Sequence, residues 1–355
     1  MIVQVRGAPI RGVFARVFKT NCLLLALVAA HFAVAVTLSA VFGVRFSMST
    51  VQFILMFMTT LIPVFLIILW LWHFGRLILF IRPEKPIRRF IQDIRVLVFD
   101  AERILSGVVA LIAISIFTST FMTVKDLIPL INPFSWDPMF AMLDRALHGG
   151  TDPYILLRPL LGTPYITTLM GVAYHIWFFL FYFIVFMASF DRKNTVRRNT
   201  LLLSFLLTWI IGGNLLAIVF SSAGPPYYQF FGYGDTFVPL FDTLKEFSKI
   251  SPVWVLEVQD KLLDGYLNGG PIKGISAMPS IHVAVAVLLA IYGFQYRRWA
   301  GWLLVAFAIL IQLGSVHLGW HYAIDGYAGG LVAILCWKIS TKLAKRYSGI
   351  SQNRA

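Results

Sequence analysis

Residues 164–190 read PYITTLMGVAYHIWFFLFYFIVFMASF, a stretch that contains no Asp, Glu, Lys or Arg. A helix needs about 20 such residues to cross the hydrocarbon layer of a bilayer, which is about 30 Å thick. Because the alternation of apolar and polar residues typical of barrel strands is absent, we predict an all-α integral membrane protein with about eight transmembrane helices. The other seven predicted spans are at about 21–44, 51–72, 106–124, 200–220, 280–295, 300–317 and 324–341.

The composition supports this prediction. Of the 355 residues, 59% are apolar and 13% are charged, and the mean hydropathy is +0.79. A soluble protein of this length could not bury so much apolar surface. The net charge of +14 could indicate a nucleic-acid partner, but the basic residues form short clusters between the apolar runs, so we expect no nucleic acid. Cys22 and Cys336 both belong to apolar runs, and we expect no structural disulfide.

The basic residues also indicate the orientation of the chain in the membrane. With eight spans both termini lie on one side, and that side receives 22 of the 30 Lys and Arg residues. Cytoplasmic loops carry such an excess, so we predict that both termini are cytoplasmic. Two long loops, about 125–163 and about 221–279, then lie in a periplasmic or lumenal compartment, and their Pro, Gly and aromatic residues indicate ordered loops or interfacial helices. The basic segment 73–104 is predicted to be an amphipathic helix on the cytoplasmic leaflet.

One candidate site element is the stretch AMPSIH, which ends at His282. Pro279 suits the first turn of a helix, and the run that follows is apolar to about residue 295. Ser280 and His282 would then lie at the positive end of the helix dipole, where unpaired backbone N–H groups bind phosphate.

A second element is the stretch GSVHLGWHYAID, which ends at Asp325. If a helix begins near His321, the imidazole and the Asp325 carboxylate share one helix face. The carboxylate can then hold the imidazole in one tautomer and leave its other nitrogen free to attack. The predicted topology brings this element and His282 to the same membrane surface, on the side opposite the termini.

Other interpretations of the histidines are open. A single histidine near a helix end is usually a satisfied interfacial residue, and His148, His175 and His317 fit that interpretation one by one. A metal site is a competing hypothesis, because His317, His321 and Asp325 repeat every four residues. It leaves the PSIH element without a role, so we expect no metal and no other cofactor. The non-enzyme alternative is a transporter or membrane scaffold, but the internal repeats common in transporters are not seen.

Both elements carry a family resemblance. PSIH at 279–282 resembles the PSGH motif of the type 2 phosphatidic acid phosphatase superfamily, and GSVHLGWHYAID at 314–325 resembles its SRxxxxxHxxxD motif. The resemblance covers about 200–343, and the first 160 residues carry no recognised signature. The branch that the sequence is most similar to includes inositol phosphorylceramide synthase, a sphingolipid inositolphosphotransferase.

The resemblance implies a role for each site residue. His321 would be the nucleophile that forms a phosphohistidine, and Asp325 would orient its ring. His282 would be the acid that protonates the leaving oxygen, and Ser280 would bind phosphate.

The sequence departs from the superfamily pattern in two places. Ser315 stands where the second motif has Arg, and the first superfamily motif, Lys-x(6)-Arg-Pro, has no counterpart in the loop before PSIH. That loop holds SSAGPPYY at 221–228 instead. Lys273 is then the remaining candidate for a phosphate-binding cation, and Ser315, Tyr227 and Tyr228 are further candidates for substrate binding.

The missing cations favour a phosphodiester substrate, because a phosphate monoester carries close to two charges at neutral pH and a diester carries one. We therefore expect a membrane lipid phosphotransferase with a phospholipid donor and a lipid or alcohol acceptor. A lipid phosphate or polyprenyl diphosphate phosphatase, with water as acceptor, is the alternative. We expect three regions: N-terminal spans with the amphipathic segment (1–105), a phosphatase- or phosphotransferase-like membrane domain (106–345) and a cytoplasmic tail (346–355). The later six spans form the catalytic core of the membrane domain, and its motifs lie within 221–325.

Overall fold

The computed structural model describes residues 10–44, 46, 56–269 and 274–352, and this part of the chain contains helices and turns without strands. The helices in chain order are α1 (Ile10–Val41), α2 (Phe57–Ile81), α3 (Pro86–Val98), α4 (Ala101–Ile131), α5 (Asp137–Leu147), α6 (Pro153–Leu161), α7 (Pro164–Ser189), α8 (Thr195–Val219), α9 (Val238–Ser248), α10 (Trp254–Asn268), α11 (Ile281–Phe294), α12 (Arg298–His317) and α13 (Ala323–Gln352).

Seven of these helices are long and apolar enough to cross a membrane, namely α1, α2, α4, α7, α8, α12 and α13. The prediction of an all-α multi-pass membrane protein is confirmed. The predicted span at about 280–295 corresponds to α11, which has only 14 residues. At 1.5 Å per residue it is about 21 Å long, shorter than the hydrocarbon layer. The predicted span at about 51–72 begins outside the described residues. Its helix, α2, continues beyond residue 72 to Ile81.

The short helix α11 is at the centre of the later helices and packs against α7, α8, α12 and α13. Its small residues Ala284 and Ala286 are fully buried in these contacts. At the amino end of α11, α13 comes so close that a Cβ added to Gly329 of α13 would overlap the carbonyl oxygen of Ser280. This approach brings the two sequence elements of the predicted site side by side.

Polar side chains tie α1 to the later helices. The Asn21 amide donates a hydrogen bond to Ser106 Oγ of α4 at 3.0 Å, and Arg198 of α8 donates to Asn21 Oδ1 at 2.8 Å. All three side chains are buried. Buried polar groups of this kind stay paired because an unpaired group in an apolar region costs free energy, so these bonds fix α1 against α4 and α8. Cys22 on α1 and Cys336 on α13 are both free thiols.

Both predicted long loops contain helices, α5 and α6 in the first and α9 and α10 in the second, so the described residues of these loops are ordered, with 270–273 outside the description. The predicted amphipathic helix is α3, whose residues are all at least partly exposed. Its predicted bounds of 73–104 were too wide. The apolar residues Leu77–Ile81 continue α2, and residues from Ala101 already belong to α4.

Candidate active site

His321 and Asp325 meet at the start of α13. Nδ1 of His321 lies 3.2 Å from Oδ2 of Asp325, and the same oxygen accepts a hydrogen bond from the Tyr322 N–H at 3.0 Å. Asp325 is fully buried, whereas His321 is 8% exposed. With Nδ1–H donating to the carboxylate, Nε2 of His321 keeps its lone pair.

The helix does begin near His321, as the prediction supposed, but α13 starts two residues later, at Ala323. A turn after α12 carries the imidazole instead, and Gly319 adopts a φ of +69° in this turn. The N–H groups of Trp320 and His321 donate to the Ser315 carbonyl at 2.9 and 3.2 Å. These bonds hold the ring above the first turn of α13, where the aspartate reaches back to it.

His282 is the second residue of α11. The helix begins at Ile281, and Ser280 is its N-cap, with its hydroxyl accepting a hydrogen bond from the Val283 N–H at 3.5 Å. The expectation that Pro279 lies in the first turn was therefore wrong. Serine is among the preferred N-cap residues because its oxygen can pair an otherwise free N–H group, and here it sets the helix start one residue after Ser280.

Aromatic side chains of α7 surround His282. The ring centroids of Tyr174, Trp177 and Phe178 lie 4.9, 4.5 and 5.7 Å from that of His282. The indole N–H of Trp177 also donates to the His282 carbonyl at 2.9 Å. The imidazole rings of His282 and His321 lie 6.3 Å apart between centroids. The two histidines therefore face each other, although 38 residues separate them in the sequence.

His282 and His321 line a cavity of about 440 Å³. This volume is within the range of sites for small ligands, which is about 300–1,000 Å³. The few polar residues in its wall include Lys125 and Ser276. Most of the wall is apolar or aromatic, including Phe121, Met122, Trp177, Phe178, Val258 and Leu262. The site is thus the imidazole pair of His282 and His321 at the edge of a largely apolar chamber, with His175 as a third imidazole in the wall.

The other predicted substrate-binding residues have different surroundings. Ser280 and Ser315 are fully buried outside the cavity wall, and the Ser315 hydroxyl bonds within its own helix. Tyr227 does line the cavity, and its hydroxyl donates to the Gln259 carbonyl at 3.0 Å. Burial raises the pKa of Tyr227, so it stays a phenol. Tyr228 is buried away from the cavity wall.

Lys273, the predicted phosphate-binding cation, lies outside the described residues.

The remaining predicted histidines have partners of their own. Nε2 of His317 lies 2.8 Å from Oγ1 of Thr167 on α7, and both side chains are buried. His148 and His175 each bond a backbone carbonyl four residues earlier. Within the described ranges no group of three or more His, Cys, Asp or Glu side chains is arranged to hold a metal ion. The arrangement of His317 therefore gives the metal hypothesis no support.

Two aspartates that the sequence analysis did not single out hold the site loops. Asp137, the first residue of α5, is fully buried and accepts four hydrogen bonds. Its donors are the Ser222 hydroxyl at 2.8 Å, the N–H groups of Ala223 and Gly224 at 2.9 and 2.7 Å, and the Tyr322 hydroxyl at 2.9 Å. One carboxylate thus joins the loop before α9 to the residue next to His321.

Asp144 is the second of these aspartates. It accepts hydrogen bonds from the N–H groups of Ala323 and Ile324 at 2.8 and 3.1 Å, and so caps α13 from another helix. Burial raises the pKa of Asp144, and these two bonds oppose the effect. Burial also raises the pKa of Tyr322, which keeps its hydroxyl a donor to Asp137. A signal did exist in the sequence, since two acids seven residues apart share one face of the otherwise largely apolar helix α5.

Comparisons with known proteins agree with the geometry. The sequence pattern of the PAP2 superfamily matches residues 139–339, more than half of the chain. The match begins within α5, so the statement that the first 160 residues carry no signature was wrong from residue 139 onward. A search of curated proteins and a search of solved structures returned no match.

Proposed function

The chain belongs to the PAP2 superfamily, which generally comprises phosphatases and phosphotransferases, and on this premise we propose that it is a lipid phosphotransferase. Membership supports a membrane enzyme of lipid phosphate chemistry in general. The narrower proposal is inositolphosphotransferase-like transfer of a phosphoryl head group from a phospholipid to a lipid or alcohol acceptor. The observation that carries it is the pairing of His321 with Asp325 at 3.2 Å, opposite His282 and across one largely apolar cavity.

The first half-reaction forms a phosphohistidine. Nε2 of His321 attacks the phosphorus of the donor diester, and an N–P bond forms while the bond from phosphorus to the lipid oxygen breaks. The leaving oxygen takes a proton from protonated His282 and departs as an alcohol. The Asp325 carboxylate accepts a hydrogen bond from Nδ1–H of His321 and stabilises the positive charge that develops on this imidazole ring.

The second half-reaction returns the enzyme to its starting state. Neutral His282 takes the proton of the acceptor hydroxyl while that oxygen attacks phosphorus. The N–P bond breaks, its electron pair returns to Nε2 of His321, and the head-group phosphate is now esterified to the acceptor. His282 is again protonated for the next donor, so no proton is gained or lost in the cycle.

The apolar cavity wall supports an alcohol acceptor over water. Water reaches an apolar chamber less readily than a lipid hydroxyl that enters with its own chain. Ser315 in place of the superfamily Arg supports a diester donor, since a diester carries less charge than a monoester. Hydrolysis of a lipid phosphate or a polyprenyl diphosphate is the competing outcome.

We also propose that the site faces the periplasmic or lumenal side and that both termini are cytoplasmic. The excess of basic residues on the terminal side supports this orientation. It requires that α11 crosses the membrane despite its 14 residues. Fusions of a reporter that is active only outside the cytoplasm should be inactive at both termini, and an active fusion at one terminus would overturn the orientation.

A transfer assay tests the proposed function. The purified chain is mixed with a phospholipid labelled in its head group and with a lipid alcohol, and new labelled lipid is measured beside free phosphate. We expect head-group transfer, and we expect His321→Ala to abolish it. Rapid release of phosphate from phosphatidic acid, with no exchange of head groups between lipids, would favour the phosphatase.

A further inference from the structure

His31 is a buried histidine on α1 that the steps of phosphoryl transfer do not use. Nδ1 of its ring lies 2.8 Å from Oγ1 of Thr120 on α4, and Nε2 lies 2.9 Å from Oδ1 of Asn214 on α8. All three side chains are buried. Because an amide oxygen can only accept a hydrogen bond, Nε2 donates to Asn214. An ionisable residue within a membrane span is costly and generally takes part in function, so His31 needs an explanation.

Asn214 lies in a part of α8 that departs from α-helical geometry. Residues Trp209–Leu216 form a π-helix, and π-helical turns are rare and are frequently found at functional sites. The Asn214 amide donates to the Phe121 carbonyl at 3.4 Å and to the Gly213 carbonyl at 3.2 Å. Phe121 and Gly213 both line the cavity of the two catalytic histidines. The bond from His31 therefore holds a residue whose own partners form the cavity wall.

The π-helical segment also lies against the start of α11. A Cβ added to Gly212 would be 3.2 Å from Cδ1 of Ile281 and 3.5 Å from Cγ of Pro279. A Cβ added to Gly213 would be 3.2 Å from Cγ1 of Ile281. Ile281 immediately precedes His282. Because closely packed groups transmit small displacements, a movement of this backbone would also move the His282 imidazole.

Asn21 offers a comparison, because it is a second buried polar residue of α1 that bonds to the same two helices. Its partners are Ser106 on α4 and Arg198 on α8. Asn21 precedes His31 by ten residues, about 15 Å along the helix axis. Neither Ser106 nor Arg198 lines the cavity. Both residues thus attach α1 to its neighbours, but the bonds of His31 end beside the site and those of Asn21 do not.

We propose that His31 is a positioning residue for phosphoryl transfer. By holding Asn214, it fixes the π-helical segment against α11 and keeps the His282 imidazole in place opposite His321. The proposal rests on the proposed function for the role of His282 as the acid. Because α1 lies outside the family match at residues 139–339, it also gives the first helix a part in the reaction.

Kinetics of variants at the two positions of α1 test the proposal. A displacement of about 1 Å can lower a rate about a hundredfold, so we expect His31→Ala to lower kcat at least about tenfold and to keep KM within about twofold. His31→Gln should stay within about threefold of the wild-type kcat, because a glutamine amide reaches the position of Nε2 and can still donate to Asn214. The matched control is Asn21→Ala, which also removes a buried polar contact of α1 and should keep the wild-type kcat.

A signal from His282 itself tests the positioning without any turnover. Its ring lies among three aromatic rings of α7, whose ring currents make the Cε1–H resonance sensitive to small displacements. The full chain with ¹³C-labelled histidine is examined by NMR in detergent, and the His282 resonance is identified by its loss in His282→Ala. We expect this resonance to shift in His31→Ala and to keep its position in Asn21→Ala.

The two readouts separate this proposal from the proposed function. If no lipid is turned over while the His282 resonance still depends on His31, the phosphotransferase is wrong and the positioning of His282 by His31 stands. If lipids are turned over and His31→Ala keeps the wild-type kcat and the His282 resonance, the assignment of His31 is wrong. An equal loss of kcat in Asn21→Ala overturns it as well. Should His31→Ala not fold, His31→Asn decides, because its shorter amide reaches Thr120 but not Asn214, and wild-type kcat and resonance in that folded variant overturn the proposal.

Discussion

Replacement of Asp137 by alanine should destabilise the protein strongly. The carboxylate is fully buried and accepts four hydrogen bonds. Of the four donors, the hydroxyls of Ser222 and Tyr322 can rotate toward other partners, but the N–H groups of Ala223 and Gly224 cannot. A buried donor left unpaired costs about 1–3 kcal/mol, so two such donors predict a loss of about 2–6 kcal/mol.

Asparagine at the same position gives an internal comparison. Oδ1 of Asp137 accepts from Ser222, Gly224 and Tyr322, whereas Oδ2 accepts only from Ala223. An asparagine that keeps its carbonyl oxygen at the Oδ1 position therefore retains three bonds and turns its NH₂ toward one N–H group. We expect a loss of about 1–3 kcal/mol for Asp137→Asn, about the cost of one unpaired donor.

The assay is reversible unfolding of the purified chain in detergent, with each variant compared with the wild type. The matched control is Asp242→Ala on α9, an exposed carboxylate that should change stability by no more than about 0.5 kcal/mol. The expected order of stability is wild type, then Asp137→Asn, then Asp137→Ala. Wild-type stability in Asp137→Ala would refute the reasoning, as would an asparagine variant less stable than the alanine variant.

Three other variants test single contacts at the site. Asp325→Asn should lower turnover by up to about 10⁴-fold, because an amide cannot stabilise the neighbouring imidazolium, and wild-type turnover would remove Asp325 from the site. His317→Ala should keep at least about a tenth of the wild-type rate, a barrier change of no more than about 1.4 kcal/mol. A chelator should not inhibit the wild-type enzyme. An inactive His317→Ala variant, together with chelator inhibition that a divalent ion reverses, would favour the metal site. Gly329→Ala should lower both stability and turnover because its Cβ would overlap the Ser280 carbonyl. Gly330→Ala is the control, because a Cβ there meets nothing nearer than 3.8 Å. Equal thermal unfolding of the two variants would contradict the close packing of α13 on α11.

The sequence was sufficient to predict the helical membrane fold and to single out His282, His321 and Asp325, which lie close together in the structure. Apolar runs of spanning length predict transmembrane helices directly. The candidate catalytic residues stand within two short stretches of sequence, AMPSIH and GSVHLGWHYAID. The local details were harder to predict. Whether His321 lies on a helix or in the turn before it depends on where α13 begins, and that start depends on the cap that Asp144 provides from another helix.

The residues that the sequence analysis missed act over long distances in the chain. The Asp137 carboxylate bonds to groups 85 and 185 residues away, and Lys125 reaches the cavity from a helix far from either element. No short motif contains the Asp137 pairings, because the packing of α5 against the later helices creates them. The first superfamily motif, Lys-x(6)-Arg-Pro, has a partial match that the sequence analysis overlooked, because six residues separate Lys125 from Asn132 and Pro133 and only the arginine differs.

The most direct test of the central claim is to trap the phosphoenzyme. The wild type, His282→Ala and His321→Ala are exposed briefly to a donor with a phosphorus label and a good leaving group, quenched in alkali, and mapped by peptide mass. We predict that the label is on His321 in the wild type and in His282→Ala, where the intermediate forms without help from an acid. Label that persists in the His321→Ala protein would contradict the assignment of His321 as the nucleophile.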